Sequence, residues 1–381
     1  MPTFSREEYE RQRAAIRSGR VDDTAEWRTV DAADRPRRRR RRSPLRIIAL
    51  VVLGVVVALA VGTVLLGMRA AAFNDKVSTA PFLSSALFGP LNGDDRVNVL
   101  MVGYGGAQHA GGYLADSINI LSIDPQTDTT TTIPIPRDLW IEGMAQLPEN
   151  GKVNEAFAIG HTNGGLANAG QLLAEVLSQA TGLQIDHWMA IDFRGFAEMV
   201  DAVGGITIDN PTAFAYTMNE QLHQAGRWRA GSFEEGTIQL TGEQALAYAR
   251  ARYTSVPSES TDFARSIRQA RILAGLRSKV GSGGLGSIGP GLGMMGALEG
   301  RLRTDLSAID LFLLSGHLSS DRRIALEEDV VLQATTNTNG QYILVPVGWT
   351  GPGAYGSLQT YIADRLAQPI SSPSPTAAGA P

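Results

Sequence analysis

From residue 96 onward, apolar and polar positions follow two different rhythms. "RVNVLMVG" (96–103), "SINILSID" (117–124) and "TTTTIPIP" (129–136) are short runs rich in Val, Ile and Thr, bounded by turn residues, and they predict strands. "DPQTD" (124–128) is a turn between the second and third. "HWMAIDF" (187–193) and "ITIDNP" (206–211) read as two more strands. Between and after them the spacing changes to that of helices. "GGLANAGQLLAEVLSQATG" (164–182) predicts a helix ending at Gly182, and "RGFAEMVDAVGG" a short amphipathic one stopped by paired glycines. "TGEQALAYARAR" (241–252) opens with Thr241 and Gln244 at capping-box spacing. "DFARSIRQARILAGLRSKV" (262–280) follows, with Phe263, Ile267, Ala270 and Ala274 as its expected buried stripe. Strands alternating with helices predict an α/β fold, an α-β-α layered domain around a central mixed sheet.

Upstream the pattern is different. Residues 1–44 are polar, read as a largely disordered tail, and end in "RPRRRRRRSP". Leu45 to Gly67 is apolar apart from Arg46 at its edge, and as a helix it would extend about 35 Å, enough to cross a bilayer. Arginines on its N-terminal side put 1–44 in the cytoplasm and the rest outside, so one transmembrane helix in the cell membrane precedes an extracytoplasmic domain. The run is too long for the apolar core of a cleaved signal peptide. An arginine run touching a membrane segment is a topology and headgroup signal more simply than a nucleic-acid arm. Residues 68–94 are small and polar and read as a stalk, 95–368 as the folded domain, and 369–381, ending in "SSPSPTAAGAP", as a disordered tail.

Composition narrows the chemistry. Net charge is −4, which argues against a nucleic-acid partner for the whole protein. There is no cysteine, which excludes disulfides, thiolate metal sites and a cysteine nucleophile. "VGYGGAQHAGG" (102–112) lacks the Gly-Lys-Ser/Thr ending of a nucleotide loop, and neither a GxSxG elbow nor an HExxH is present. The segment 281–300 reads equally as a flexible glycine loop or as an apolar lining for a lipid chain, through Leu285, Ile288, Leu292, Met294 and Met295.

The positive signal is arginine near acid. Asp116 opens a strand; Arg137 and Asp138 follow one, with Pro136 fixing the turn. Lys152 stands in "GKVNEAF", and His109 lies in the glycine loop. Arg250 and Arg252 end a helix, where an ideal geometry would point them about 200° apart unless the helix stops near Ala249. Asp262 and Gln269 share one face of the next helix. Several fixed cations, an acid and no nucleophile suit a phosphate or pyrophosphate ligand; ordinary surface salt bridging is the competing reading.

Several blocks in order resemble the LytR-CpsA-Psr family: "ADSINILSIDPQTDTTTTIPIPRDLWI", "KVNEAF", "DHWMAIDFRGFAEMVDAVGGITIDNP", "LTGEQALAYARARY" and "DFARSIRQARIL", from about 96 to 280. The resemblance implies a phosphotransferase that moves a glycopolymer from a polyprenyl-pyrophosphate carrier to a wall acceptor, usually a peptidoglycan hydroxyl, through a phosphodiester. It implies a greasy pocket for the lipid tail. By motif match Asp116 is the Mg2+ acid, Arg137, Arg250 and Arg252 clamp the pyrophosphate, Lys152 and Gln269 hold pocket positions, and Asp262 is a candidate base. Asp138 is expected to orient Arg137, and His109 to donate to phosphate. Two positions depart from the pattern: Leu114 stands where an arginine is common, and Tyr104 where a second metal acid is common. Rival readings are a hydrolase of the lipid pyrophosphate and a wall-binding scaffold without turnover.

Overall fold

The structure, a computed structural model, describes residues 6–19, 44–88, 90–93, 95–107, 109, 111–228, 230–279, 288–316 and 322–368. The side chains of 44–59, 262–263 and 288–291 fall outside that description. The expected tail 369–381 also lies outside the described residues. The chain divides into two units, residues 1–61 and 62–381.

In the first unit, α1 (Arg6–Arg17) is helical where a disordered tail was expected. Its Glu, Gln, Ala and Arg are good helix formers, and Glu7 stands four residues before Arg11. Most of the remaining tail is outside the described residues. α2 (Pro44–Val77) starts on a proline, which suits a first helical turn. Among the described residues no helix is long and apolar enough to cross a membrane. The expected anchor 45–67 falls, from 45 to 59, outside the residues whose side chains are described.

The second unit begins earlier than the stalk reading allows. Phe73 and Val77 are buried against Leu302, and Leu87 against Val97, Val99 and Leu306. Asn74 donates to Ala80 O and accepts from Ala308 N. Residues 68–94 are therefore built into the domain. Their small polar residues suggested a spacer, but they satisfy backbone groups while three large apolar side chains do the packing.

The chain continues through β1 (Val97–Tyr104), β2 (Ala115–Asp124), β3 (Thr129–Pro134), the short β4 (Trp140–Ile141) and β5 (Gly151–Lys152), α3 (Val153–Thr181), β6 (His187–Asp192) and α4 (Phe193–Ala202). A second cluster holds β7 (Ile206–Asn210), β8 (Phe214–Thr217), α5 (Glu220–Gln224), β9 (Gly231–Phe233), β10 (Gly236–Leu240), α6 (Gly242–Arg250), β11 (Tyr253–Thr254), α7 (Asp262–Lys279) and α8 (Ile288–Leu298). The chain returns as β12 (Leu302–Thr304), α9 (Ala308–Gly316), β13 (Arg322–Arg323), β14 (Leu332–Thr336), β15 (Tyr342–Pro346) and α10 (Gly356–Ala367).

The central sheet has the order β12-β6-β1-β2-β3-β13. β1 runs parallel to β6 and antiparallel to β2, so the sheet is mixed. Alternation along each strand sends Leu100, Val102, Ile118 and Ile120 to one face, where Phe157, Leu173 and Leu177 of α3 and Leu358 and Ile362 of α10 cover them. Val97, Val99, Leu121 and Ile123 face the other way, against Leu87, Leu306 and Leu314. These are the expected α-β-α layers.

Three expectations change in detail. The helix expected from 164 starts at Val153, and Gly164 and Gly165 break it inside rather than begin it. Its end is as expected: Gly182 takes φ 73°, the left-handed cap that glycine favours. The buried face of α7 is Ala264, Arg265, Arg268, Ile272 and Leu276, while Ala274 is exposed and Ile267 and Ala270 are half-buried. Buried arginines displaced the stripe that apolarity alone suggested. The segment 281–300 is helical from 288; Met294 packs on the Val200–Ile272 cluster and Met295 on Phe73, Val77 and Leu302. Neither lines the cavity beside Asp116 and Arg137. Leu285 and the Ile288 side chain lie outside the described residues.

Candidate active site

The β1–β2 ladder contains one irregularity. Gly103 pairs with Ser117 and Tyr104 with Ala115, so Asp116 is the extra residue of a bulge. A bulge bends its strand and re-aims a side chain. Beyond β3, Ile135 N still donates to Ile118 O at 2.9 Å, and Leu139 N to Pro136 O at 3.0 Å closes a turn. That turn brings Arg137 to the bulge. Arg137 Nη1 donates to Asp116 Oδ1 at 2.9 Å, and Arg137 Nε lies 3.5 Å from Asp138 Oδ2. The β4–β5 ribbon sets Lys152 opposite Trp140, and Lys152 Nζ reaches Asp138 Oδ1 at 2.5 Å. Acid, arginine, acid and lysine thus form one chain of alternating charge. Asp138, only 8% exposed, lies between the two cations. Lys152 is spent on Asp138 and does not line the adjoining cavity.

That cavity has a volume of about 720 Å³. Asp116, Arg137 and Asp138 form one wall, and Arg265 and Gln269 of α7 another. Ile118, Ile135, Leu326 and Leu344 supply apolar surface. Gln269 is tied to β2 through Ser117, whose hydroxyl donates to Gln269 Oε1 at 3.2 Å. The side chain of Asp262 lies outside the described residues.

Arg265, 8% exposed, was missed in the sequence. Its signal was spacing: it precedes Gln269 by four residues and so shares its helix face. Arg268, fully buried, was also missed. It donates to Tyr248 O (3.0 Å), to Ala251 O, and to both Glu259 O and Glu259 Oε2 (2.7 Å each). Those bonds satisfy carbonyls left over at the end of α6.

The helix α6 ends at Arg250, and Ala251 leaves it at φ −55°, ψ 115°. Arg250 is half-buried, its guanidinium 4.2 Å over the Phe193 ring and its Nη2 2.7 Å from His109 Nε2. Burial lowers its pKa from the ordinary value, while Asp116 pulls it back up. Neither arginine lines the cavity; Arg250 is half-buried within the field of Asp116, and Arg252 is exposed. The expectation that both arginines aim at one ligand is therefore not met: the chain turns extended after Arg250 and carries Arg252 to solvent.

Tyr104 is a core residue, 2% exposed, packed on Tyr113 and Phe157. Burial, helped by Asp192, raises its phenol above the ordinary value. It is no metal ligand. Asp192 pairs in register with it but is committed to Gly195 N (2.7 Å) and Arg301 (3.2 Å). Among the described residues no group of three His, Cys, Asp or Glu is placed to hold a metal. Asp116 lines the cavity and could offer a carboxylate to a metal shared with substrate oxygens, while Asp138 beside it is paired with Lys152.

The LytR_cpsA_psr family pattern matches residues 68–347. The chain belongs to the LytR-CpsA-Psr family. The match begins at residue 68, in agreement with Phe73 and Val77 packing into the domain. A relative from Halalkalibacterium halodurans, named polyisoprenyl-teichoic acid–peptidoglycan teichoic acid transferase TagU, is 26% identical over 257 residues, 67% of this chain and 76% of its own. The protein of the same name from Bacillus subtilis is 26% identical over 253 residues, 66% of this chain and 73% of its own. A crystal structure of a Streptococcus agalactiae protein superposes with a TM-score of 0.55 at 23% identity, over 76% of this chain and 94% of that one. The structural likeness carries the fold: in this member of the LytR-CpsA-Psr family, the same layered domain positions the Arg137 turn.

Proposed function

We propose that this protein is a phosphotransferase that moves a glycopolymer from a polyprenyl-pyrophosphate carrier onto a cell-wall acceptor such as peptidoglycan. One observation carries the reading: Arg137, Arg265 and Gln269 converge on a cavity that also holds acids, among them Asp116 and Asp138, and an apolar surface from Ile118, Ile135, Leu326 and Leu344. Polar cations at one wall and apolar surface beside them suit a lipid pyrophosphate. The names of the two transferase relatives support the same substrate class.

The acceptor hydroxyl oxygen attacks the polymer-side phosphorus. A new P–O bond forms, the bond to the bridging pyrophosphate oxygen breaks, and polyprenyl phosphate leaves. Charge builds on the equatorial and leaving oxygens, and arginines fixed beforehand stabilise it without reorganising at the moment of reaction. Asp262 is the motif-matched acceptor for the hydroxyl proton. Magnesium, brought with the substrate and held in part by Asp116, would supply further charge stabilisation. Residues 45–67 would anchor the chain as a single membrane pass with the domain outside; protease added to wall-stripped cells should then digest the domain, and its full protection would overturn that topology.

The function is tested with the full chain in detergent, a polyprenyl-pyrophosphate-linked polymer and peptidoglycan oligomers. The expected products are polymer joined to peptidoglycan and free polyprenyl phosphate. Release of polymer phosphate to water alone, with acceptor present, would make the protein a hydrolase instead.

A further inference from the structure

The segment Gly105–Gly112 folds back on itself. Gly106 N donates to Gly112 O at 2.8 Å, His109 N to Gly106 O at 3.0 Å, and Gly112 N to His109 O at 2.8 Å. Gly106 and Gly111 take φ of 85° and 78°, where a side chain would be strained. A Cβ on Gly105 would stand 2.8 Å from the His109 Cβ, Cγ and Nδ1. The loop therefore closes down on the imidazole and restricts it.

What the loop presents is the Nε2 edge, 2.7 Å from Arg250 Nη2. The imidazole meets Phe193 edge-on at 5.4 Å, and Arg250 lies over the same ring at 4.2 Å. A guanidinium has only donors, so Nε2 is the acceptor and carries no proton in this contact. His109 is thus turned toward an arginine through its lone pair, and is not set to donate from Nε2 to a phosphate as the sequence suggested.

The two site arginines are held in different ways. Arg137 is paired with the carboxylate of Asp116, which a phosphate must compete with. Arg250 is held by a neutral acceptor and an aromatic face, and no ion pair of Arg250 is found among the described residues. The neutral partner fixes the fork, while Asp116 acts on its charge from a distance without a direct ion pair. An arginine side chain left free would lose rotamer entropy on meeting its ligand. Its backbone is already set, because Arg268 holds the carbonyls of Tyr248 and Ala251 on either side.

We propose that His109 is a positioning residue for Arg250, which lies beside the cavity within the field of Asp116, aiming its guanidinium at a phosphate of the pyrophosphate ligand. This rests on the cavity reading above and deepens it: the glycine loop is the part of the site that sets the second arginine. The role needs an acceptor at the Nε2 position, not an imidazole as such.

The test is a double-mutant cycle on the full chain in detergent, with farnesyl pyrophosphate binding read by calorimetry. His109→Leu should weaken binding roughly tenfold, the scale of one hydrogen bond to a charged group. His109→Gln, whose carboxamide oxygen can accept, should recover most of that loss. In an Arg250→Ala background His109→Leu should cost nothing further, because the histidine acts only through the arginine. An equal loss from His109→Leu with and without Arg250 would show that the residue merely packs the loop, and the inference falls. Wild-type binding by His109→Leu, with Arg250→Ala weak, would also overturn it while leaving the pyrophosphate reading intact. Wild-type binding by both Arg137→Ala and Arg250→Ala would instead remove the pyrophosphate reading beneath it.

Discussion

Arg137 and Asp116, on two different strand ends, hold one another at 2.9 Å across the mouth of a bulge. The bulge turns the acid outward and the Pro136 turn delivers the arginine, so neither residue is placed by its own strand alone. The guanidinium is fixed before any ligand arrives, by a carboxylate that a metal could engage and that a phosphate would have to displace.

Arg137→Ala should therefore lose transfer without unfolding. A hydrogen bond to a charged group is worth roughly 1.5–3 kcal/mol, so polymer transfer should fall at least ten- to a hundredfold. The check is a rate assay beside near-ultraviolet circular dichroism. Wild-type transfer by a folded variant would make the Pro-Arg-Asp turn purely structural.

The arginines at the end of α6 should separate. Neither lines the cavity, but Arg250→Ala removes a half-buried cation within the field of Asp116, whereas Arg252→Ala removes an exposed one. Transfer should drop at least tenfold in the first and only a few-fold in the second, on the weak scale of exposed charges. Equal losses would mean that the chain after Ala251 rearranges when ligand binds.

The layers and most strands were legible because β1, β2 and β3 lie almost where Val, Ile and Thr cluster, in near-continuous runs that a sheet covered on both faces buries. The cap residues were legible for the same local reason: Thr241, Gln244 and Gly182 act within one turn of their own helix. The errors came where long-range partners decide. Arg265 and Arg268 are buried because Glu259, two carbonyls of another helix and a cavity wall receive them, and no periodicity shows that. Arg252 was misplaced because the backbone after Ala251 is set by Arg268, sixteen residues on from it in the chain by number but beside it in space. Phe73, Val77 and Leu87 were invisible as core because their partners, Leu302 and Leu306, lie far along the sequence.

Arg268→Ala should be among the most destabilising single changes in the domain. It leaves the Glu259 carboxylate without its cation and the carbonyls of Tyr248, Ala251 and Glu259 without that donor, and breaking a buried pair costs roughly 3–5 kcal/mol. Thermal unfolding should show a drop of several degrees, larger than for Arg265→Ala. An unchanged midpoint would mean that water replaces all four bonds.

A second titration lies away from the cavity. Burial pulls His187 down, but the hydrogen bond and charge of Asp305, with Asp186 and Asp310, outweigh it and raise its pKa above the ordinary histidine value. A raised value means that the folded state binds the proton more tightly than the unfolded chain. The stabilisation is fully present below the unfolded value near pH 6.5 and is lost as pH rises through the folded one. Denaturant midpoints of the wild type should fall over that window, and Asp305→Asn should flatten the slope. A wild-type profile that rises there would contradict the sign.

Magnesium gives the last test, because here the chain departs from its family's common pattern. Magnesium prefers octahedral oxygen ligands and keeps several waters, so it is usually held by one or two carboxylates and substrate phosphates. Asp116 is the one carboxylate of the expected pair, and it already accepts from Arg137. Tyr104, at the other position, is buried and its phenol is held in the neutral form by burial. The free protein should therefore bind magnesium weakly by calorimetry, and farnesyl pyrophosphate should strengthen that binding. Asp116→Asn should remove the strengthening, while the pyrophosphate itself still binds to Arg137 once the competing carboxylate is gone. Tight stoichiometric magnesium binding with no phosphate present would require a second carboxylate to swing into the site; Asp192 would have to give up Gly195 and Arg301 to be that group.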